Sequence, residues 1–254
     1  MSRLDKYLRT EVFPSPFCAG CGHGILMGAI LRAIDELSAS GRLDFSKMVF
    51  VSGIGCGAWI PSPHFKGDTL HTLHGRPIAY ATGVKLARPE LKVVVISGDG
   101  DLAAIGGNHL IHAARRNLPI TTICANNNIY GMTGGQVSPT SPENSLTETT
   151  PLGNKEKPFD LCQLVKACGG EYAARWTVFH IKPLIRSIAR ALTIEGFSFL
   201  DVVSPCVTQF GRRNDLPTIY DFFLAIKEKT LSYEKAKGMK EEEKRGKIII
   251  GEYD

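Results

Sequence analysis

The chain has 254 residues, 43% of them hydrophobic, 8% aromatic and 22% charged, which suffices for one large buried core and a single domain over 1–254. Its net charge of +5 is spread along the sequence, which excludes a concentrated nucleic-acid surface and leaves only a weak pull on an acidic partner. The longest apolar runs, such as VVVIS at 93–97, cannot cross a bilayer, and MSRLDKYLRTEVFPS lacks the apolar stretch of a secretion signal, so a cytoplasmic protein without membrane contact is expected.

Residues 22–41 (GHGILMGAILRAIDELSASG) predict a helix with Ile25, Ala29, Ile30, Ala33, Ile34 and Leu37 on one face. KMVFVSGIGC at 47–56 reads as a buried strand running into a glycine turn. RPIAYATGVKLARPE at 76–90 predicts the next helix, closed by Pro89. KVVVISGDGD at 92–101 is a second strand ending in glycines, NHLIHAARRNLP at 108–119 a second covering helix, PITTICANNN at 119–128 a third strand and FSFLDVVSPC at 197–206 a fourth. Continuous Val/Ile runs alternating with helices indicate an α/β fold, a parallel sheet covered by helices on both faces. Ligands of such sheets gather at the carboxyl ends of the strands, where GIGCG, GDGD and ANNNIYG would converge. The segment 133–160 is rich in Ser, Thr, Pro and Gly and predicts a long loop that either folds over something or is a tolerated insertion. Beyond Tyr220 a charged helical stretch leads to KIIIGEYD; this C-terminal arm, 221–254, ends either as a last edge strand or laid on a partner chain.

Seven cysteines in a cytoplasmic chain do not read as a disulfide framework. Cys124, Cys162 and Cys168 lie in apolar or helix-like sequence and read as small buried hydrophobes. Cys18, Cys21, Cys56 and Cys206 lie among Gly and Pro, where the backbone can turn thiolates toward a common point. Four such ligands suit an iron–sulfur cluster or zinc.

In GDGD at 98–101, glycines after a strand let backbone N–H groups approach phosphate oxygens, and a carboxylate at the same turn can hold Mg²⁺. Alone the motif is equally a simple turn. Asp99 and Asn127 stand 28 positions apart, room for a turn, a helix and a returning parallel strand, so a carboxylate and an amide oxygen fall on neighbouring strand ends. The Ile129 carbonyl is placed to add a third oxygen, and Gly131, Gly134 and Gly135 further backbone donors.

GDG followed after residues 101–125 by Asn126–Asn127 resembles the signature of thiamine diphosphate enzymes. That resemblance implies Asp99, Asn127 and the Ile129 carbonyl as Mg²⁺ ligands, with Gly100, Asp101, Gly131, Met132 and Thr133 lining the diphosphate. The wider series CAGCGHG (18–24), GIGCGAWIPSP (53–63), HTLHGRPIAYATGVKLA (71–87), GDGDLAAIGGNHLIHAARRN (98–117), NNNIYGMTGGQVSPTSP (126–142) and SPCVTQFGRRN (204–214) is similar to the beta subunits of 2-oxoacid:ferredoxin oxidoreductases over nearly the whole chain.

The family resemblance implies a thiamine diphosphate-binding fold, with a [4Fe–4S] cluster on Cys18, Cys21, Cys56 and Cys206 and an N-terminal ligand segment at 1–24. Ile54, Gly55, Cys56, Gly57 and His74 match its thiamine contacts, although Gly57 stands where many relatives carry Ser. It implies oxidative decarboxylation of a 2-oxoacid with coenzyme A and reduction of ferredoxin. GIGCGAWIPSP, FGRRN and the charged tail look most like the 2-oxoglutarate enzymes; pyruvate, branched-chain 2-oxoacids and indolepyruvate are the family's other substrates. The glutamate that activates thiamine is expected on a separate alpha subunit, so the chain alone should be inactive. No run of closely spaced cysteines predicts a further cluster. His71, His74 and Arg76 flank one glycine turn, with backbone bonds or a surface ion pair as their plain readings, and His23 reads as a helix cap or a neighbour of the cluster. Readings outside the family are a non-oxidative thiamine decarboxylase, which needs no cluster, and a noncatalytic phosphate-binding module.

Overall fold

The computed structural model describes residues 3–253; the first two residues and the last of the expected 1–254 domain lie outside the described residues. Ten strands form among them: β1 (Met48–Ser52), β2 (Asp68–His71), β3 (Lys92–Gly98), β4 (Thr121–Asn126), β5 (Ile129–Tyr130), β6 (Gln136–Val137), β7 (Tyr172–Thr177), β8 (Ser198–Val203), β9 (Thr230–Ser232) and β10 (Ile248–Tyr253). Eight of these make one sheet in the order β2-β1-β3-β4-β8-β7-β10-β9, while β5 and β6 pair antiparallel on their own. All neighbours from β2 to β7 are parallel, and only the β7–β10 pair runs antiparallel.

Helices α1 (His23–Ala39), α2 (Pro77–Ala87), α3 (Gly107–Arg115), α4 (Leu161–Ala167) and α5 (Ile181–Thr193) cover the sheet; α6 (Ile219–Lys229), α7 (Tyr233–Ala236) and α8 (Glu241–Lys244) follow. Strand side chains alternate between two faces, and the two cores separate accordingly. Phe50, Val94, Ile96, Ile123, Leu200 and Val202 pack with α1 and α5, whereas Val49, Val51, Val93, Val95, Cys124 and Phe199 pack with α2, α3 and α4. The inner strands β1, β3, β4 and β8 are buried on both sides, which is why these segments are apolar almost throughout.

Ala29, Ile30, Ala33, Ile34 and Leu37 lie in the core as the helical period predicts, but Ile25 is exposed, in the first helical turn beside the cysteine loop. Strand β7 and helix α5 were not legible beforehand. YAARWT carries a buried arginine where a central strand is expected to be apolar, and IKPLIRSIARALT shows its buried stripe only through Leu184, Ile185, Ile188, Ala191 and Leu192. The C-terminal KIIIGEYD is not the edge strand: β10 lies inside the sheet between β7 and β9, and three-residue β9 forms that edge. Loop 133–160 has no regular element beyond β6, yet it buries Ser138, Thr140, Ser141, Ser145, Thr147 and Asn154.

The parallel order places the carboxyl ends of β1, β2, β3, β4 and β8 on one rim. Because the chain leaves β1 toward β2 on one side and reaches β3 on the other, a crevice opens between β1 and β3.

Candidate active site

Asp99, one residue beyond β3, is buried, and that burial pushes its carboxyl above the usual range despite the hydrogen bonds it accepts. Thr140 Oγ1 donates to its Oδ2 at 2.6 Å, and the Asn127 backbone N–H approaches its Oδ1 at 3.4 Å. Asn128, with φ of 59°, turns the chain after β4 through the left-handed region that Asn tolerates. That turn brings the Ile129 carbonyl back over Asn127. The Asn127 amide oxygen stands 2.6 Å from the Ile129 carbonyl oxygen and 3.2 Å from Asp99 Oδ1, three acceptors facing one another; turned over, the amide would instead donate to both. The three residues expected as metal ligands are thus brought together.

The carboxylate of Asp101, a residue expected to line a diphosphate, lies in the joint between three loops. Ser97 Oγ donates to Oδ2 at 2.7 Å, the Gly75 N–H to Oδ1 at 2.7 Å and the Ile54 N–H to Oδ1 at 3.2 Å. His74 Nδ1 makes an ion-pair contact with Oδ1 at 2.5 Å, without the alignment of a hydrogen bond. A carboxylate suits that place because several N–H and O–H donors converge on it. A Cβ on Gly53 would fall 2.0 Å from Asp101 Oδ2, so glycine is required for the GIGC turn to close on it.

Gly100 is covered by Tyr130, whose hydroxyl donates to the Gly100 carbonyl at 3.1 Å and whose ring leaves no room for a Cβ. Met132 and Thr133 stand exposed on the turn joining β5 to β6, with the Thr133 hydroxyl bonded to Gln136. The Arg76 guanidinium donates to the Gly75 and Ile105 carbonyls and clamps the His74–Gly75 turn onto the segment after Asp101. His71 lies near Trp59 at the end of β2.

The four Gly/Pro-flanked cysteines gather beside this crevice. The charges of Cys206, Cys56 and Cys18 all reach Cys21, whose thiol burial pushes up to about 12; Cys56 is pushed up to about 11 by burial, with Cys206 and Cys18 adding to it. Cys18 is exposed, Cys21 and Cys56 half-buried and Cys206 buried. The CxxC loop docks on the end of β8 through the Gly22 N–H to the Pro205 carbonyl at 3.1 Å, and a Cβ on Gly22 would meet Ser204 Oγ at 2.6 Å. His23 caps nothing. It is buried, its Nδ1 pairs with Ser204 Oγ at 2.7 Å, and burial drops its imidazole to about 4. Among the described residues, no three His, Cys, Asp or Glu side chains close on a single point as ligands of one ion do. Cys124 and Cys162 are fully buried in the apolar core, as their sequence surroundings predict.

Gly131 joins the two halves of the site. A Cβ there would lie 3.4 Å from Cys206 Sγ, 3.5 Å from Asn127 Nδ2 and 4.0 Å from Cys56 Sγ. The Asn127 amide and the sulfurs of Cys206 and Cys56 are therefore neighbours across one backbone position. Thr140, Asn126, Tyr130 and Thr208, all in contact with these groups, carried no signal beyond their place in the loop and motifs.

Residues 53–202 match the family model for the thiamine pyrophosphate enzyme, C-terminal TPP binding domain. The chain is 52% identical over 248 residues to the 2-oxoglutarate synthase subunit KorB of Methanothermobacter marburgensis, covering 98% of this chain and 85% of that protein. It is 51% identical to the subunit of the same name from Methanocaldococcus jannaschii, covering 98% and 90%. A solved 2-oxoglutarate:ferredoxin oxidoreductase from Magnetococcus marinus, with 2-oxoglutarate, coenzyme A and succinyl-CoA bound, superposes with a TM-score of 0.84 at 32% identity over 99% of this chain and 84% of its own. The chain belongs to the thiamine pyrophosphate enzymes, as a beta subunit of the 2-oxoacid:ferredoxin oxidoreductase family most similar to the 2-oxoglutarate synthase subunits.

Proposed function

We propose that this chain is the thiamine diphosphate- and [4Fe–4S]-bearing subunit of an enzyme that oxidatively decarboxylates 2-oxoglutarate with coenzyme A and reduces ferredoxin. The observation that carries this reading is the proximity of Asn127, beside Asp99 and the Ile129 carbonyl, to Cys206 and Cys56 across Gly131. The Asn127 amide stands 2.6 Å from the Ile129 carbonyl oxygen and 3.2 Å from Asp99 Oδ1; it either donates to both or, with its oxygen turned toward them, joins them around a cation. One carboxylate plus neutral oxygens suits Mg²⁺, which completes its shell with phosphate oxygens and water. Asp99, Asn127 and the Ile129 carbonyl would hold that ion, and the diphosphate would lie against the backbone of residues 100–101 and 131–133.

Thiamine diphosphate, when bound, supplies the stabilised carbanion chemistry that lets a 2-oxoacid lose carbon dioxide, and the cluster supplies one-electron acceptance. This chain's own residues hold and orient. Asp101 fixes the Ile54 and Gly75 amides, so the GIGC and His74–Gly75 turns keep a set distance from the end of β3. Cys56 belongs to that same GIGC turn, so whatever it ligates is held rigidly to the crevice wall. The strand ends leave Ile54, Leu73, Ile105 and Met132 exposed around the mouth, apolar surface that suits burial by an alpha subunit carrying the activating glutamate. No helix among the described residues is long and apolar enough to cross a membrane.

Co-expression with the alpha subunit and anaerobic purification test this directly. The expected complex is brown, contains iron and acid-labile sulfide, releases thiamine on denaturation, and reduces viologen or ferredoxin faster with 2-oxoglutarate and coenzyme A than with pyruvate, branched-chain 2-oxoacids or indolepyruvate. Cys56→Ser should lose the iron. Zinc in place of iron, or carbon dioxide release without reduction of any acceptor, would favour a non-oxidative decarboxylase.

A further inference from the structure

We infer that Thr208 tunes the iron–sulfur cluster, its hydroxyl acting as a shared hydrogen-bond donor to the thiolates of Cys18 and Cys206. The inference rests on the proposal that these cysteines ligate a cluster, and it assigns a role to a residue that is not itself a ligand.

Thr208 Oγ1 lies 3.7 Å from Cys18 Sγ and 3.8 Å from Cys206 Sγ, within reach of both sulfurs, which stand 188 positions apart in the chain. The placement is built by the backbone. After β8 the chain passes Ser204, Pro205 and Cys206 and then winds through one π-type turn, Val207–Gly211, closed by the Gly211 N–H bonding to the Cys206 carbonyl at 2.9 Å. Such single wide turns recur at functional sites because they aim a side chain that a regular helix would turn elsewhere. Here the turn drops Val207 onto Gly20, where a Cβ would come within 3.1 Å of Val207 Cγ2, and this contact seats the CxxC loop next to Thr208.

A thiolate bound to iron has lost its proton, so between a hydroxyl and a ligating sulfur only the hydroxyl can donate. Among the described residues, Thr208 is the one side chain bonded to these sulfurs; Cys21 receives the His23 backbone N–H instead. Reduction adds negative charge that the cluster spreads onto its sulfurs. A dipole aimed at two of them therefore stabilises the reduced form and raises the potential. Cys18 is also the most exposed of the four ligands, where water competes for the same sulfur, and Thr208 fixes one donor there regardless of solvent.

The test uses the anaerobically purified alpha–beta complex. Thr208→Val keeps the shape and removes the donor, while Thr208→Ser keeps the donor. The expected result is unchanged iron and sulfide content, a cluster midpoint potential in the valine variant lower than in the parent, and a potential restored toward the parent in the serine variant. In the reduced parent, electron–nuclear double resonance should show an exchangeable proton coupled to the cluster that the valine variant lacks. Equal potentials in parent and valine variant with the cluster intact would overturn the inference and leave the ligand assignment standing. Absence of iron from the parent complex would overturn the ligand assignment itself. If the valine variant fails to assemble a cluster, the serine variant and the parent proton coupling decide: a parent without the exchangeable coupling refutes the role of Thr208.

Discussion

Thr140 Oγ1 donates a 2.6 Å hydrogen bond to Asp99 Oδ2, linking the loop after β6 to the carboxylate at the end of β3. Its oxygen also lies 3.0 Å from Asn126 Oδ1, so the loop is seated at the base of both strand ends that frame the facing oxygens. Loop 133–160 therefore supports from behind the residues proposed to hold the metal. Partners that orient a ligating carboxylate typically account for 10- to 100-fold in metal affinity, about 1.4–2.7 kcal/mol. Thr140→Val should weaken Mg²⁺-dependent thiamine diphosphate binding to that extent, with little change in melting temperature. Calorimetric titration of cofactor-free complex checks it, and unchanged affinity would show that Asp99 needs no such support.

Asp101 concentrates several loop contacts on one buried carboxylate. Asp101→Ala leaves the Ile54 and Gly75 amides and the Ser97 hydroxyl without their acceptor. Each buried donor left unpaired costs about 1–3 kcal/mol, with entering water offsetting part of the sum. A loss of about 3 kcal/mol is expected in urea unfolding of the chain. Gly53→Ala should act through the same joint, because its new methyl overlaps Asp101 Oδ2.

Arg175 crosses the centre of β7 and is buried between two acids. Its Nε donates to Asp201 Oδ2 at 2.7 Å, its Nη2 to Asp160 Oδ1 at 2.9 Å and its Nη1 to the Tyr253 hydroxyl at 2.9 Å. Asp201 in turn accepts from Asn126 Nδ2 at 2.9 Å, so the network ties β10 to the strand that carries Asn127. Breaking a buried pair by removing one partner costs about 3–5 kcal/mol. Arg175→Met should destabilise by that amount, and adding Asp201→Asn should recover part of it. Equilibrium unfolding of the two single variants and the double variant measures the coupling.

Lys92, at the start of β3, donates to the Ile194 carbonyl at 3.2 Å, and burial drops its amine to about 8, with the charge on Lys85 adding to the effect. Below pH 8 folded and unfolded chains both hold the proton, and the folded state bears the buried ammonium. Between about pH 8 and 10.5 the unfolded chain binds more protons than the folded one, so stability from this site rises with pH. Lys92→Met should therefore raise the melting temperature at pH 7, by about 1–3 kcal/mol in stability. The advantage should shrink toward zero by pH 10.5. Thermal melts of parent and variant across that range check the slope.

Much of the sheet and of the residues that gather at the candidate site were legible in the sequence because they follow from local pattern. Unbroken Val/Ile runs mark strands buried on both faces, glycines mark strand ends that must approach a ligand, and Asp99, Asn127 and the four Gly/Pro-flanked cysteines are chemistry-bearing types at motif spacing. What tertiary structure alone decided is which way side chains turn once those ends meet. The carboxylate of Asp101 faces inward, since the amides of Ile54 and Gly75 converge on it from segments that are distant in the chain. Arg76 clamps the Gly75 and Ile105 carbonyls. Strand β7 was hidden because Arg175 is tolerable in a central strand only when Asp160 and Asp201, from other elements, neutralise it. KIIIGEYD became an inner strand only because β9 covers its far side. Local period and motif chemistry state what each segment carries; partners supplied by remote segments settle what each buried polar group does.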